Sequence, residues 1–170
     1  KVTESASYGG DIYAIAVDNN YVYIGGGTTR KVYKLNKSDL SKVTESASYG
    51  GDIYAIAVDN NYVYVGGYTT RKVYKLNKSD LSKVAEGDGH SGDINAIAVD
   101  NNYVYVGGRS GTCEVHKLNK TDLSYVAESA NCGGGHVQAI AIDDDFVYIG
   151  RWGTNTNKVY KLLNLISLKY

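Results

Sequence analysis

The chain is built from near-identical copies of one unit, and this limits its fold more than any other feature. Copies begin at Lys1, Lys42 and Lys83, 41 residues apart, and a fourth begins at Tyr125 after 42. Residues 1–41 and 42–82 differ only at Ile24/Val65 and Gly27/Tyr68, which points to duplication. A unit of this size is one supersecondary element that must bury its apolar face against neighbouring copies. With 170 residues the chain has room for one domain of ordinary size. We therefore read residues 1–170 as a single domain with repeats at about 1–41, 42–82, 83–124 and 125–170.

Each copy holds four short strand patterns separated by turn residues. In the second copy, strand A is residues 52–58 (DIYAIAV), closed by Asp59, Asn60 and Asn61. Asp and Asn tolerate positive φ and suit a tight hairpin. Strand B is 62–65 (YVYV), ended by Gly66 and Gly67, and strand C is 72–76 (KVYKL), ended by the polar turn NKSD. Strand D is the mostly polar KVTES or KVAEG. Simple alternation would place Ile53, Ala55 and Ala57 on one face of strand A and Tyr54, Ile56 and Val58 on the other. Both faces are then apolar, so strand A is expected to be buried on both sides. Tyr, Val and Ile enrichment with Gly punctuation fits β structure, and no long amphipathic helix is legible.

Four antiparallel strands graded from buried to exposed, recurring about every 40 residues, describe the blade of an all-β propeller. Strand A would line the axis and strand D the rim. The stretch YVYVGGYTTRKVYKLNKSDLSKV resembles the YVTN-type repeats, within the broad set that includes WD-repeat and quinoprotein-like propellers. The double Gly is shared with kelch repeats, but the later Trp of that pattern is missing, as is the Trp-Asp signature of WD repeats. The resemblance covers the whole chain and is specific to fold. It implies a surface-exposed or extracellular protein without catalytic activity.

The phase of the repeats leaves the closure open. The chain starts on a D-type stretch (1–7) and ends with A, B and C of a fourth unit, followed by the off-pattern tail 163–170. The simplest closure lets 1–7 complete the fourth blade and removes the open sheet edges. Alternatively the chain is half of a larger ring made by two copies. Or 163–170 serves as strand D, which frees the N-terminal strand for a head-to-tail filament.

Charge excludes several partners. Lys plus Arg and Asp plus Glu both number 18, so the basic footprint of a nucleic-acid binder is missing. No apolar run approaches the roughly 20 residues needed to cross a bilayer, so no membrane insertion is expected. The absence of Met, the initiator included, suggests a processed or excised piece. No motif for a cofactor, phosphate cradle or nucleophile is legible, so we expect no cofactor and no enzyme activity. His90, His116 and His136 are not spaced as a motif.

Candidate sites come from places where the copies differ or where chemistry recurs. After the strand B glycines the copies carry Gly27, Tyr68, Arg109 and Trp152. The frame is constant while this position changes in size and charge, so Tyr68, Arg109 and Trp152 are candidate partner-binding residues on exposed B–C loops. Drift in a solvated loop explains the variation equally well. Asp11, Asp52 and Asp93, with His136 in the fourth copy, start strand A and form a weak candidate metal ring around one mouth. Bonding of these Asp to the backbone of the preceding turn is the favoured reading. Asp143, Asp144 and Asp145 read as a solvated turn. The Tyr residues of strands B and C are expected to pack between blades with their hydroxyls on polar partners. Asn36, Asn77 and Asn119 head Asn-x-Ser/Thr sequons in the C–D turns, expected on the outer rim, and are candidate glycosylation sites.

The two cysteines, Cys113 and Cys132, sit at the ends of strands C and D of the third copy, each beside a one-residue insertion. The hairpin between them brings these ends together, so they are expected to form a disulfide, which suits an oxidising compartment. These features lead to a non-enzymatic extracellular or cell-surface structural or interaction module. The alternatives are a carbohydrate- or protein-binding propeller using the B–C loops, and the subunit of a head-to-tail extracellular filament. Its partners would be other protein chains or surface glycans, with self-assembly in view.

Overall fold

The structure, a computed structural model, describes residues 2–88, 90–153 and 158–163. These form fifteen strands in four antiparallel sheets. Blade 1 holds β1 (Ile12–Val17), β2 (Tyr21–Gly26), β3 (Val32–Asn36) and β4 (Lys42–Glu45). Blade 2 holds β5 (Ile53–Val58), β6 (Tyr62–Gly67), β7 (Lys72–Asn77) and β8 (Lys83–Asp88). Blade 3 holds β9 (Asp93–Val99), β10 (Tyr103–Arg109), β11 (Val115–Asn119) and β12 (Tyr125–Glu128). Among the described residues, blade 4 has β13 (His136–Ile142), β14 (Phe146–Trp152) and β15 (Val159–Leu163). Within each blade sequence neighbours pair in order.

The A–B hairpins are shaped by a carboxylate. Asp18 Oδ1 accepts the backbone N–H groups of Asn20 (2.8 Å) and Tyr21 (2.7 Å), and Oδ2 accepts the Tyr23 hydroxyl (3.0 Å). Asp59, Asp100 and Asp143 repeat the arrangement. The turn therefore needs no positive φ. Left-handed residues occur elsewhere, at Leu40, Leu81 and Leu123 in the C–D turns and at Thr28, Arg30, Thr69 and Arg71 in the B–C loops. The same device explains why Tyr23, Tyr64 and Tyr105 are fully buried: each ring fills the space between blades while its hydroxyl is satisfied.

Strand A does not alternate simply. Ile53 opposes Gly67, Ala55 opposes Gly66 and Ile56 opposes Val65, so Tyr54 is an extra residue in a β-bulge. The bulge moves Ile53 onto the face of Ile56 and Val58 and leaves Ala55 and Ala57 on the other, correcting the face assignment made by alternation. It also accounts for the double glycine. A Cβ at Gly67 would collide with the Asp52 carbonyl in the bulge. A Cβ at Gly66 would lie 2.7 Å from Ile94 Cγ2 of the next blade.

Blades stack inner strand to inner strand, β1 on β5, β5 on β9 and β9 on β13. Three contacts build these interfaces. First, an apolar knob sits over the first glycine of the preceding strand B: Ile53 over Gly25, Ile94 over Gly66, Val137 over Gly107. Secondly, a buried strand C lysine crosses to the next C–D turn. Lys34 Nζ donates to the carbonyls of Lys78 (2.8 Å) and Ser79 (3.3 Å), and Lys75 Nζ to those of Lys120 (2.8 Å) and Thr121 (3.1 Å). Their ammonium groups also lie 4.0 Å and 3.9 Å from the ring centres of Tyr21 and Tyr62. Burial lowers both lysine pKa values. Thirdly, a turn lysine reaches back to the preceding blade, Lys78 to Asp18 (2.7 Å) and Lys120 to Asp59 (2.8 Å). Burial pushes the Asp18 carboxyl up, but Lys78, the two backbone N–H groups and Tyr23 overcome it and hold the pKa at about 2.

Cys113 and Cys132 form the expected disulfide, with their Cα atoms 5.5 Å apart. The expected closure by 1–7 is not formed. Residues 2–7 are in no strand, and β15 is the last strand of the blade 4 sheet. Strand pairing demands a sheet edge, and no pairing among the described residues includes this segment. The proposed D strand 163–170 lies outside the described residues but for Leu163, which ends β15.

Candidate functional site

The bulges that shape strand A also build one end of the molecule. The extra residue at each bulge is Tyr13, Tyr54, Asn95 or Gln138, from registers that slip at that point. These side chains form a row across successive blades. Tyr13 meets Tyr54 edge-on with ring centres 5.1 Å apart, and Asn95 Nδ2 donates to Gln138 Oε1 at 3.0 Å. The B–C loop residues lie just outside this row. Tyr68 lies with its ring centre 6.2 Å from that of Tyr54, and Trp152 stacks on His136 at 5.4 Å.

Together they line a cleft of about 460 Å³ formed by Tyr54, Tyr68, Asp93, Asn95, Arg109, His136, Gln138 and Trp152. All three loop residues singled out from the sequence, Tyr68, Arg109 and Trp152, are brought together here. Tyr68 and Trp152 are about half exposed, so their ring faces are available to a ligand. Gly27, the fourth member of the position, sits beside the Tyr13 ring instead. Burial, followed by the carboxylates of Asp52 and Asp93, pushes the Tyr54 hydroxyl pKa up, so it stays a neutral donor. Sequence reasoning missed the bulge row by assigning it to a strand face. The signal was available: the third residue of DIxAIAV is Tyr, Tyr, Asn or Gln in an otherwise repeated frame.

The Asp ring is not assembled as a metal site. The Asp11 carboxylate accepts from the Tyr13 hydroxyl at 3.3 Å, Asp52 lies 3.8 Å from the Arg30 guanidinium, and only Asp93 lines the cleft. Backbone carbonyls, not carboxylates, bind the loop: Gly27 N–H donates to Asp11 O and Tyr68 N–H to Asp52 O. Among the described residues, the one cluster with metal-ligand spacing is Glu114, His116 and Glu128, whose ligand atoms lie within 4.8 Å of one another.

The sequon turns are held by backbone hydrogen bonds. Lys37 N–H donates to Asn20 O and Lys78 N–H to Asn61 O, which ties each C–D turn to its own A–B hairpin. The turns therefore lie at the end carrying the A–B hairpins, beside inter-blade clefts of about 630 and 800 Å³ lined by the Asp-Asn-Asn turns. Asn77 and Asn119 accept the backbone N–H two residues on, and Asn36 donates to Ser41.

No family model and no curated protein matches this chain. Solved structures do. The computationally designed Ika4 protein superposes with a TM-score of 0.78 at 18% identity, over 95% of this chain and 98% of its own. The designed Ika8 protein matches at 0.76 and 18% identity, over 94% of this chain and 48% of its own. The WD40 repeats of RRP9 match at 0.76 and 12% identity, over 92% of this chain and 52% of theirs. The fold is a propeller-like repeat of antiparallel blades. At these identities the likeness extends to the fold alone.

Proposed function

We propose that the chain is a non-enzymatic interaction module of an extracellular or cell-surface protein, and that the bulge-and-loop cleft is its binding face for a carbohydrate. One observation carries this reading: Tyr68, Arg109 and Trp152, the positions that vary within a constant frame, converge with Tyr54, Asn95 and Gln138 on one cleft. Exposed aromatic faces stack on the C–H faces of a sugar ring. A carboxylate, two amides, a neutral phenol and a guanidinium supply donors and acceptors for its hydroxyls. Such a mix of apolar surface and a few directed polar groups is what small-ligand sites require. The Cys113–Cys132 disulfide supports an oxidising compartment.

A glycan array with purified protein tests the reading. We expect binding to a restricted set of glycans, weakened at least about tenfold by Trp152→Ala, equivalent to roughly 1.4 kcal/mol. Absence of any glycan binding, or binding indifferent to Trp152→Ala and Arg109→Ala alike, would refute it.

A further inference from the structure

The three inter-blade interfaces leave one matching half at each end of the chain. On blade 1, Ile12 is the counterpart of Ile53 and Ile94, yet it is 53% exposed where Ile53 is 2%. Ile15 and Val17, on the same face beyond the bulge, are likewise exposed. The outer part of that face, Ile24, Tyr33 and Leu35, is buried in a cluster with Tyr8 and Val22. The open part is therefore the inner strand, where a preceding blade would sit.

Blade 4 offers the other half. Gly150 is the counterpart of the glycines that receive Ile53, Ile94 and Val137, and the atoms nearest a Cβ there all belong to Ala139 in its own blade. Ala139 is exposed, whereas Ala14, Ala55 and Ala96 are buried by the following blade. Val159 and Lys161 are exposed where their counterparts Val32 and Lys34 are buried. The polar contacts are split in the same way. Among the described residues, Asp143 is exposed and lacks the cross-blade lysine that Asp18 and Asp59 receive, while Lys37 bonds only the Asp18 carbonyl of its own blade (3.1 Å). Residues 2–7 repeat the sequence that forms β4 and lie in no strand, while blade 4 has three strands among the described residues.

We propose that a second copy of this chain occupies these ends, so that blade 4 of each copy packs on blade 1 of the other. Ile12 would sit over Gly150, Lys37 would pair with Asp143, and residues 2–7 would supply the fourth strand beside β15. The occupant follows from continuity. The knob-on-glycine contact is already made three times within the chain and the lysine–aspartate pair twice, and in the single chain Ile12 and Ala139 are both left exposed. In every repeat the D strand of one blade leads directly into strand A of the next, so residues 2–7 belong to whichever blade packs on blade 1. Two such contacts related by a twofold axis close a ring and leave no free end, which distinguishes it from a filament.

Light scattering across a concentration series tests this. The expected mass is twice 18.4 kDa. Ile12→Asp should yield a monomer with an unchanged far-ultraviolet spectrum, because Ile12 is exposed in the isolated chain. Lys37→Glu and Asp143→Lys each set like charges against one another at both contacts and should each lower the dimer fraction. Mixing the two variants restores an opposite-charge pair at both contacts and should recover the dimer. A wild-type monomer at every concentration, a mass that grows without limit, an Ile12→Asp variant that still dimerises, or a mixture no better than its components would each overturn the proposal. The glycan experiment does not depend on this outcome.

Discussion

Ile53 and Ile12 occupy the same place in segments of sequence that are almost identical, and their surroundings differ completely. Ile53 is packed over Gly25 in the cluster that joins blades 1 and 2, while Ile12 stands in solvent. Blade 1 and blade 2 therefore share local structure, the same bulge, the same hairpin carboxylate and the same register, and differ in what lies next to them. In a repeat protein the stability of a blade is the sum of an intrinsic part and an interface part. The comparison separates the two, because sequence holds the first part constant while position changes the second.

The largest effect should come from emptying the interface. Ile53→Ala should cost about 2–5 kcal/mol by denaturant unfolding, the range for a buried Ile truncated to Ala. Ile12→Ala in dilute protein should cost well under half as much, since little area leaves water. Equal losses at the two positions would show that blade 1 is covered in solution as blade 2 is, and would break the comparison.

A smaller effect is expected from the hairpin carboxylates. Asp59→Ala removes the partner of the buried Tyr64 hydroxyl, of two backbone N–H groups and of Lys120. A loss of roughly 1–3 kcal/mol follows from leaving buried polar groups unpaired. Asp143→Ala, at an exposed hairpin without a cross-blade lysine, should cost clearly less. The acid limb carries the same contrast. Asp18 has a folded pKa of about 2, below its ordinary value, so its contribution is present above about pH 4 and is lost as the pH falls towards 2. Acid unfolding followed for Asp18→Asn beside wild type should show a shallower loss in the variant over that window.

The smallest effect concerns a substitution inside the array. Tyr49 stacks on Tyr74 at the second junction, and His90 faces His116 at the corresponding place in the third. His90 Nδ1 accepts the Gly92 N–H and Nε2 faces the Glu114 carbonyl, which fits a neutral ring. Burial and then the neighbouring His116 lower its pKa. With the folded value below the unfolded one, its contribution is complete above about pH 6.5 and is lost as the pH falls below that. Melting temperature measured between pH 7.5 and 5.5 should drop in wild type and drop less in His90→Tyr.

Much of this was legible in the sequence. The repeat length, the order of four strands, the buried Tyr residues and the Cys113–Cys132 bridge all follow from local pattern and the short reach of a hairpin. Tyr68, Arg109 and Trp152 were identifiable because they vary where the frame does not. The rest depended on neighbours. Alternation alone could not place the bulge, because an extra residue is tolerated only where Gly67 lets the Asp52 carbonyl approach across the strand. That one residue puts Tyr54, Asn95 and Gln138 in the row that lines the cleft. Sequence could not separate Ile12 from Ile53 at all, since strand formation is a local property and burial is supplied by whatever packs on the strand. For the same physical reason residues 2–7 carry a strand sequence without forming a strand: pairing requires a sheet edge, and only the tertiary arrangement decides whether one is within reach.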